Sequence, residues 1–385
     1  MHRFVFAVLA VAGVGTLCAS AGPLTPPPGA PAPTDKPLAD VEPRIAINAA
    51  NTPGDVDSVF RIAAPGSYYL TGNIVAGAGD NGIDINANDV VLDLNGYTIR
   101  GLDGSLDGIA AFARQNVTIR NGVITDFEGE GIQFSLTAAN TLIEHVRVAD
   151  NGTAGIQVGG SAIVRNCSAF RIGGSGISAN NSSLIESCTA RENGGDGFST
   201  GVNCVVTHCV ARQNGGKGFD LSTASSVYHS NAYLNTDDGF ELFDFGHITH
   251  CLAYENGIHG ISVRNRCFVS ECTAIDNTEH GIDVNSGCMV DRCHAAGNVL
   301  GIAVVGADST VQHSHAIGNG TGFFATFGGS LFLANACGAS TFSRYDMPAG
   351  TFGEFVRAPL AAPAFAGATG GLPIPSNNAF ANISY

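Results

Sequence analysis

The chain has no tryptophan, three methionines, and charged residues at only 13% of its 385 positions. Without an indole, the commonest flat platform for a sugar ring is missing, and any stacking on a ligand falls to Phe and Tyr. Lys and Arg number 18 against 33 Asp and Glu, and the net charge of −15 makes nucleic acid and anionic membrane poor partners. Helical periodicity is also lacking, and 51 glycines leave little room for a helix of roughly ten residues. Beyond the N-terminus no apolar run is long enough to span a bilayer, so no transmembrane segment is expected.

The N-terminus has a short basic start (His2, Arg3), an apolar run over 4–17 and an Ala19-Ser20-Ala21 cleavage pattern. Residues 1–21 therefore read as a signal peptide, which directs the protein to the periplasm, the cell surface or the medium. Leu17 before Cys18 is too large for a lipoprotein site. Residues 22–39 hold Pro23, Pro26, Pro27, Pro28, Pro31, Pro33 and Pro37 and read as an extended linker. Residues 40–74 alternate like strands around Pro65-Gly66 and are expected to form an N-terminal cap.

From there the chain repeats. Twelve glycine anchors run from Gly82 to Gly322, and those from Gly155 to Gly281 recur every 21 residues. One position after the anchor is Ile or Phe, as at Ile177, Phe198, Phe219 and Ile261. Three positions after it is mostly apolar, as at Val158, Leu221 and Leu242. Later columns hold Val or Ile, then Cys, then Ala, then Asn, as at Val206, Cys209, Ala211 and Asn214. Alternation with period two marks strands with one buried face. Three short strands fit in each repeat, and each pairs in parallel with its equivalent in the next coil at ~4.8 Å. The Asn column falls at a corner, where Asn tolerates left-handed backbone and can bond to the Asn above.

The pattern G-[IF]-x-[VL], V-x-x-C-x-A, N-G resembles the right-handed parallel β-helix proteins of the pectate-lyase-like superfamily, over about 75–345. The expected fold is all-β: a single-stranded right-handed parallel β-helix of about 12 coils over 75–339, followed by a C-terminal cap or tail over 340–385. The opening of the chain is similar to uncharacterised secreted bacterial β-helix proteins.

Cysteines recur in the ladder column, and three coils carry a second Cys five residues earlier. The pairs Cys204/Cys209, Cys267/Cys272 and Cys288/Cys293 are open to a disulfide within one coil or to two buried thiols.

In this superfamily the outward positions of the first strand carry the substrate groove. Here they hold Lys217, Asp220, Asp238, Glu241, His259, Arg264, His280 and Asp283. Asp220 and Glu241 stack one strand apart, which calls for a raised carboxylate pKa or a bridging Ca2+. Asn235-Thr236-Asp237-Asp238-Gly239 and His259-Gly260-Ile261-Ser262 are similar to elements of polygalacturonases. The resemblance implies a catalytic carboxylate at Asp237 or Asp238, with His259 in support. The family places those acids on separate coils, and its later R-x-K element is absent, with Arg264-Asn265-Arg266 in its place. A lyase or epimerase of uronic polymers would use Lys217, Arg264, His259 and Asp238 instead, and no D-P-H element is present. Phe243 and Phe245 are candidates to stack on a sugar ring.

His208, His229 and His250 fall in one column of three consecutive coils, where they could hold a transition metal. β-Helix proteins linked to periplasmic copper supply offer a resemblance there. The leading expectation is a protein that interacts with extracellular polysaccharide, as a lyase or glycoside hydrolase of acidic glycans. A non-catalytic surface or structural protein and a periplasmic metal-handling protein are the alternatives. Coils from Gly155 to Gly322 are nearly minimal, which leaves few loops to wall a cleft.

Overall fold

The structure is a computed structural model that describes residues 43–348 and the strands Phe355–Arg357, Phe365–Ala366 and Asn382–Ser384. The expected signal peptide and Pro-rich linker lie outside the described residues. Among the described residues there is no helix. Short strands repeat around a coil and pair in parallel with the coils on either side.

Among the described residues the first sheet takes one strand from each coil and has 15 strands, from Ser58–Ile62 to Phe365–Ala366. The stack has about 14 turns. It outruns the glycine anchors at both ends, because Phe60 pairs with Ile83 and Phe323 pairs with Tyr345. The strands Ser58–Ile62 and Gly66–Tyr69, in the segment expected to cap the stack, sit in register with the coil above them. The two remaining strand columns merge into one 27-stranded sheet. They merge because Val117–Thr125 and Leu142–Ala149 run through a corner unbroken and pair with both columns.

The interior is narrow, and identical side chains stack in it. Phe198, Phe219 and Phe240 lie ring on ring at centroid separations of 4.8 and 4.6 Å. The Ala column, including Ala190, Ala211, Ala232 and Ala253, is fully buried and packs against the anchor glycines, Ala211 at Gly197 and Ala232 at Gly218.

Each regular coil turns at three left-handed residues. One such column contains Asn203, Ala224, Phe245 and Arg266, a second His208, His229 and His250, and a third Gln213, Leu234 and Glu255, all with φ between 47° and 62°. The ladder asparagines are not themselves left-handed. The residue before each of them is, and the Asn side chain points inward.

At these corners the amide that follows has no carbonyl facing it on the next coil. An inward side chain one coil on accepts it instead. Ser225 Oγ takes the N–H of Cys204 at 3.1 Å, Ser230 Oγ that of Cys209 at 3.1 Å, and Asn235 Oδ1 that of Asn214 at 3.2 Å. Cysteine does the same more weakly, with Cys188 N–H on Cys209 Sγ at 3.5 Å and Cys267 N–H on Cys288 Sγ at 3.4 Å. A buried amide left unpaired would be costly, so these columns require a small inward acceptor.

Of the two readings open for the cysteine pairs, the structure has buried thiols. Cys204, Cys209, Cys267, Cys272, Cys288 and Cys293 are all thiols. Each pair is split between two corner columns, and each sulfur serves its own column by donating to carbonyls and accepting amides along the stack.

The Asn column is the strongest of the ladders. From Asn193 to Asn319, Nδ2 of each Asn donates to Oδ1 of the Asn 21 residues later at 2.9–3.1 Å. Asn256 Oδ1 accepts both the backbone and side-chain N–H of Asn235, at 3.2 and 3.0 Å. Asn256→Ala strands both donors in the interior and is expected to lower stability by about 2–4 kcal/mol, read as a lower urea midpoint. A loss below about 0.5 kcal/mol would mean that the ladder does not stabilise the stack.

Candidate functional site on the outer face of the first sheet

The strands of the first sheet present two outward columns, one just before the anchor glycine and one two residues after it. Parallel pairing places Ser199, Asp220, Glu241, Ser262 and Asp283 side by side on successive strands. The other column holds Asp196, Lys217, Asp238, His259 and His280. The polar run ends where one coil is a residue short, at Asn298-Val299-Leu300-Gly301, and Leu300 pairs with His280.

Three linked groups form on this face. In the first, the Lys217 ammonium bridges two carboxylates, meeting Asp220 Oδ1 at 3.1 Å and also Glu241 Oε2. Arg264 Nη2 holds the other oxygen of Glu241 at 2.8 Å. Burial works against the Lys217 charge, but the hydrogen bond to Glu241 and the fields of Asp220 and Glu241 outweigh it, and its pKa lies above the ordinary value. Burial likewise pushes Glu241 up, yet Lys217 and Arg264 pull it further down, so Glu241 stays ionised.

This alters the expected roles of Asp220 and Glu241. A Ca2+ between them would have to displace the Lys217 ammonium, which already neutralises the pair. The carboxyls with raised pKa values, Asp196 and Asp238, flank that pair.

In the second group, Asp238 is 7% exposed and is pushed up to about 7. Burial is the main cause, and the charges of Asp237 and Glu241 add to it. The backbone N–H of His259 donates to Asp238 Oδ1 at 2.8 Å and holds the carboxyl in place. Asp237 is occupied in the turn, where its Oδ1 accepts the N–H of Asp238 at 2.8 Å.

In the third group, the His259 and His280 rings stack at a centroid distance of 4.5 Å, and His280 Nδ1 lies 2.9 Å from Asp283 Oδ1. Burial is the largest influence on His259 and lowers its pKa below the ordinary value. Glu279 Oε2 stands 3.9 Å from His259 Nε2.

Phe243 is exposed beside Arg264, whose guanidinium carbon is 5.5 Å from the ring centroid. Phe245 is separated from the cluster. It pairs with Arg266 at 5.5 Å and lines a corner depression of about 510 Å3 with Asp244, Asn265 and Ser286. The histidines at 208, 229 and 250 do form a stack, with centroids 5.1 and 4.9 Å apart, on a different corner. They are not among the described residues whose ligand atoms converge as a metal-holding set.

A feature that the repeat pattern did not single out lies one coil earlier. A depression of about 430 Å3 on the first sheet is lined by Leu136, Gln157, Ser178, Asn180 and Ser199. It adjoins the charged cluster, since Ser199 pairs with Asp220. Leu136 belongs to an irregular early coil, which is why the 21-residue pattern gives no hint of it.

The family described as "Right handed beta helix region" matches residues 81–237 and 159–300, together more than half of the chain. The chain belongs to this family. No curated protein matches the chain. Among solved structures, the β-helix is similar to the A-module of mannuronan C-5 epimerase AlgE4 from Azotobacter vinelandii. Identity there is 15% and the TM-score 0.52, over 79% of this chain and 91% of that one. It is also similar to the receptor-binding domain of the tailspike of siphovirus 9NA, at 9% identity and a TM-score of 0.50, over 89% of this chain and 80% of that one. At these identities the likeness is one of fold.

The environment of Asp238 has a consequence for stability. Its carboxyl is protonated in the folded chain up to about pH 7 but ionises from 3.8 in the unfolded chain. Its contribution is therefore fully present below about pH 4 and is lost as pH rises through about 7. Asp238→Asn keeps an acceptor for His259 and does not ionise. It is expected to be more stable than the parent by up to roughly 4 kcal/mol at about pH 8, with the gap closing towards pH 4. Thermal melts across that range check it. An equal difference at both ends would show that Asp238 is not a raised carboxyl.

Proposed function

We propose that this protein engages an extracellular polysaccharide along the first sheet and cleaves it by acid–base chemistry, with Asp238 as the proton donor. The observation that carries this reading is the divergence of two carboxyls on one coil. Asp238 is driven towards protonation near neutrality, while Glu241, three residues on, is held ionised by Lys217 and Arg264. Environments that push two acids apart in this way divide the acid and base roles between them.

The surroundings favour an acidic glycan. Arg264 and Phe243 put a half-exposed guanidinium beside an aromatic face, which suits the carboxylate and the apolar side of a uronic ring. Lys217 and Asp220 lie one strand further along, and the neutral polar depression around Ser178 and Asn180 extends the track. The structurally similar proteins named above include one that acts on mannuronan. His280 and Asp283 flank the far end of the track. Elimination and hydrolysis both draw on a proton donor of this kind. An expected signal peptide fits a substrate outside the cytoplasm.

Turnover is measured by incubating the protein with polygalacturonate, alginate and related acidic glycans, and following reducing ends and unsaturated ends. Activity is expected to fall as pH rises through about 7, because Asp238 loses its proton there. Asp238→Asn is expected to reduce the rate by about 100-fold or more. Absence of either product across the panel would sink the enzymatic reading. A second reading, binding without turnover, is favoured by the near-complete burial of Asp238 and Glu241, at 7% and 6% exposure. It predicts glycan binding that Asp238→Asn leaves intact and Arg264→Ala weakens.

A further inference from the structure

We propose that His259, His280 and Asp283 form a binding site for a divalent transition-metal ion of the zinc type. Each of the three offers one ligand atom, and those atoms all lie within 4.8 Å of one another. Donors around a tetrahedral zinc with bonds of about 2.0 Å stand roughly 3.3 Å apart, so small side-chain adjustments would close the set around an ion. His280 Nδ1 and Asp283 Oδ1 are already 2.9 Å apart and share a hydrogen bond whose proton a metal would replace.

Comparison with the neighbouring coils separates this group from an ordinary charged surface. Where Lys217 faces Asp220, and where Lys217 and Arg264 face Glu241, permanent cations neutralise the carboxylates. Asp283 has the same place on its strand as Asp220 and Glu241, but its ion pair is with an imidazole. Its strand neighbours are Ser262 and Ala303, both small, so neither adjacent strand fills the space beside it. His259 comes from the preceding coil, stacked on His280. Two imidazoles and one carboxylate suit zinc and its neighbours in the first transition row rather than Ca2+, and they leave coordination positions open for water or a ligand oxygen. The backbone N–H of His280 donates to His259 Nδ1 at 3.3 Å, which fixes the ring and leaves Nε2 as its ligating atom, with Glu279 Oε2 3.9 Å from that nitrogen.

This proposal does not rest on the polysaccharide reading, because metal binding is measured without glycan. The full chain is stripped with chelator, dialysed and titrated with Zn2+ by calorimetry, and the retained metal is counted by elemental analysis. One saturable zinc per chain is expected. His280→Gln and Asp283→Asn should each weaken binding by about 10- to 100-fold. His229→Gln, on the corner stack, should leave it unchanged. Melting curves without metal establish that each variant is folded; should one of the two site variants unfold, the other decides. No saturable binding, binding indifferent to both site substitutions, or binding lost with His229→Gln would each overturn the assignment.

Discussion

The structure depends on a side chain accepting a backbone amide across each corner. A chain that turns three times in 21 residues interrupts the strand ladders three times, and every interruption leaves a buried N–H. Ser, Cys and Asn at the inward corner positions close those gaps, each serving the coil before its own. Asn does most, because one side chain receives two donors and gives two hydrogens. With the corners closed from inside, the coil needs no long loops, and the outer surface is released from structural duty.

The same register shapes the chemistry outside. Strand pairing brings the carboxylates of Asp220 and Glu241 onto adjacent strands. Lys217 then binds both, and Asp238, buried beside them, is raised chiefly by the loss of water around it. None of the side chains is unusual. Their perturbation comes first from burial and then from the partners that the strand spacing brings beside them.

Much of this was legible in the columns of the sequence. The buried Phe and Ala stacks, the parallel sheets and the asparagine ladder all follow from residues recurring at fixed offsets. The resemblance pointed to the outward positions of the first strand, and the register then named the residues from Lys217 to Asp283 that stand there. The left-handed corners were not legible, because Leu234, Phe245 and Arg266 carry no local preference for that backbone and adopt it only under the constraint of the stack. The cysteine spacing left disulfides and buried thiols both open, because spacing within a coil says nothing of partners one coil away. The choice between Ca2+ and Lys217 at Glu241 turned on where a flexible four-carbon side chain reaches, which no pattern encodes. The depression around Leu136 lies outside the regular period altogether.

The corner ladders also set which edits the chain can accept. An extra residue inside a strand would carry an inward acceptor off its column and orphan an amide on the coil before. The one short coil, at Asn298-Val299-Leu300-Gly301, loses its residue between the last corner and the first sheet, where no acceptor column is crossed. A whole coil, by contrast, is a cassette whose ends match. Recombination that duplicates or exchanges coils between Lys217 and Asp283 would bring new neighbours together on the outer face while the interior still met itself in register. Such a molecule can change what it touches without relearning how to fold.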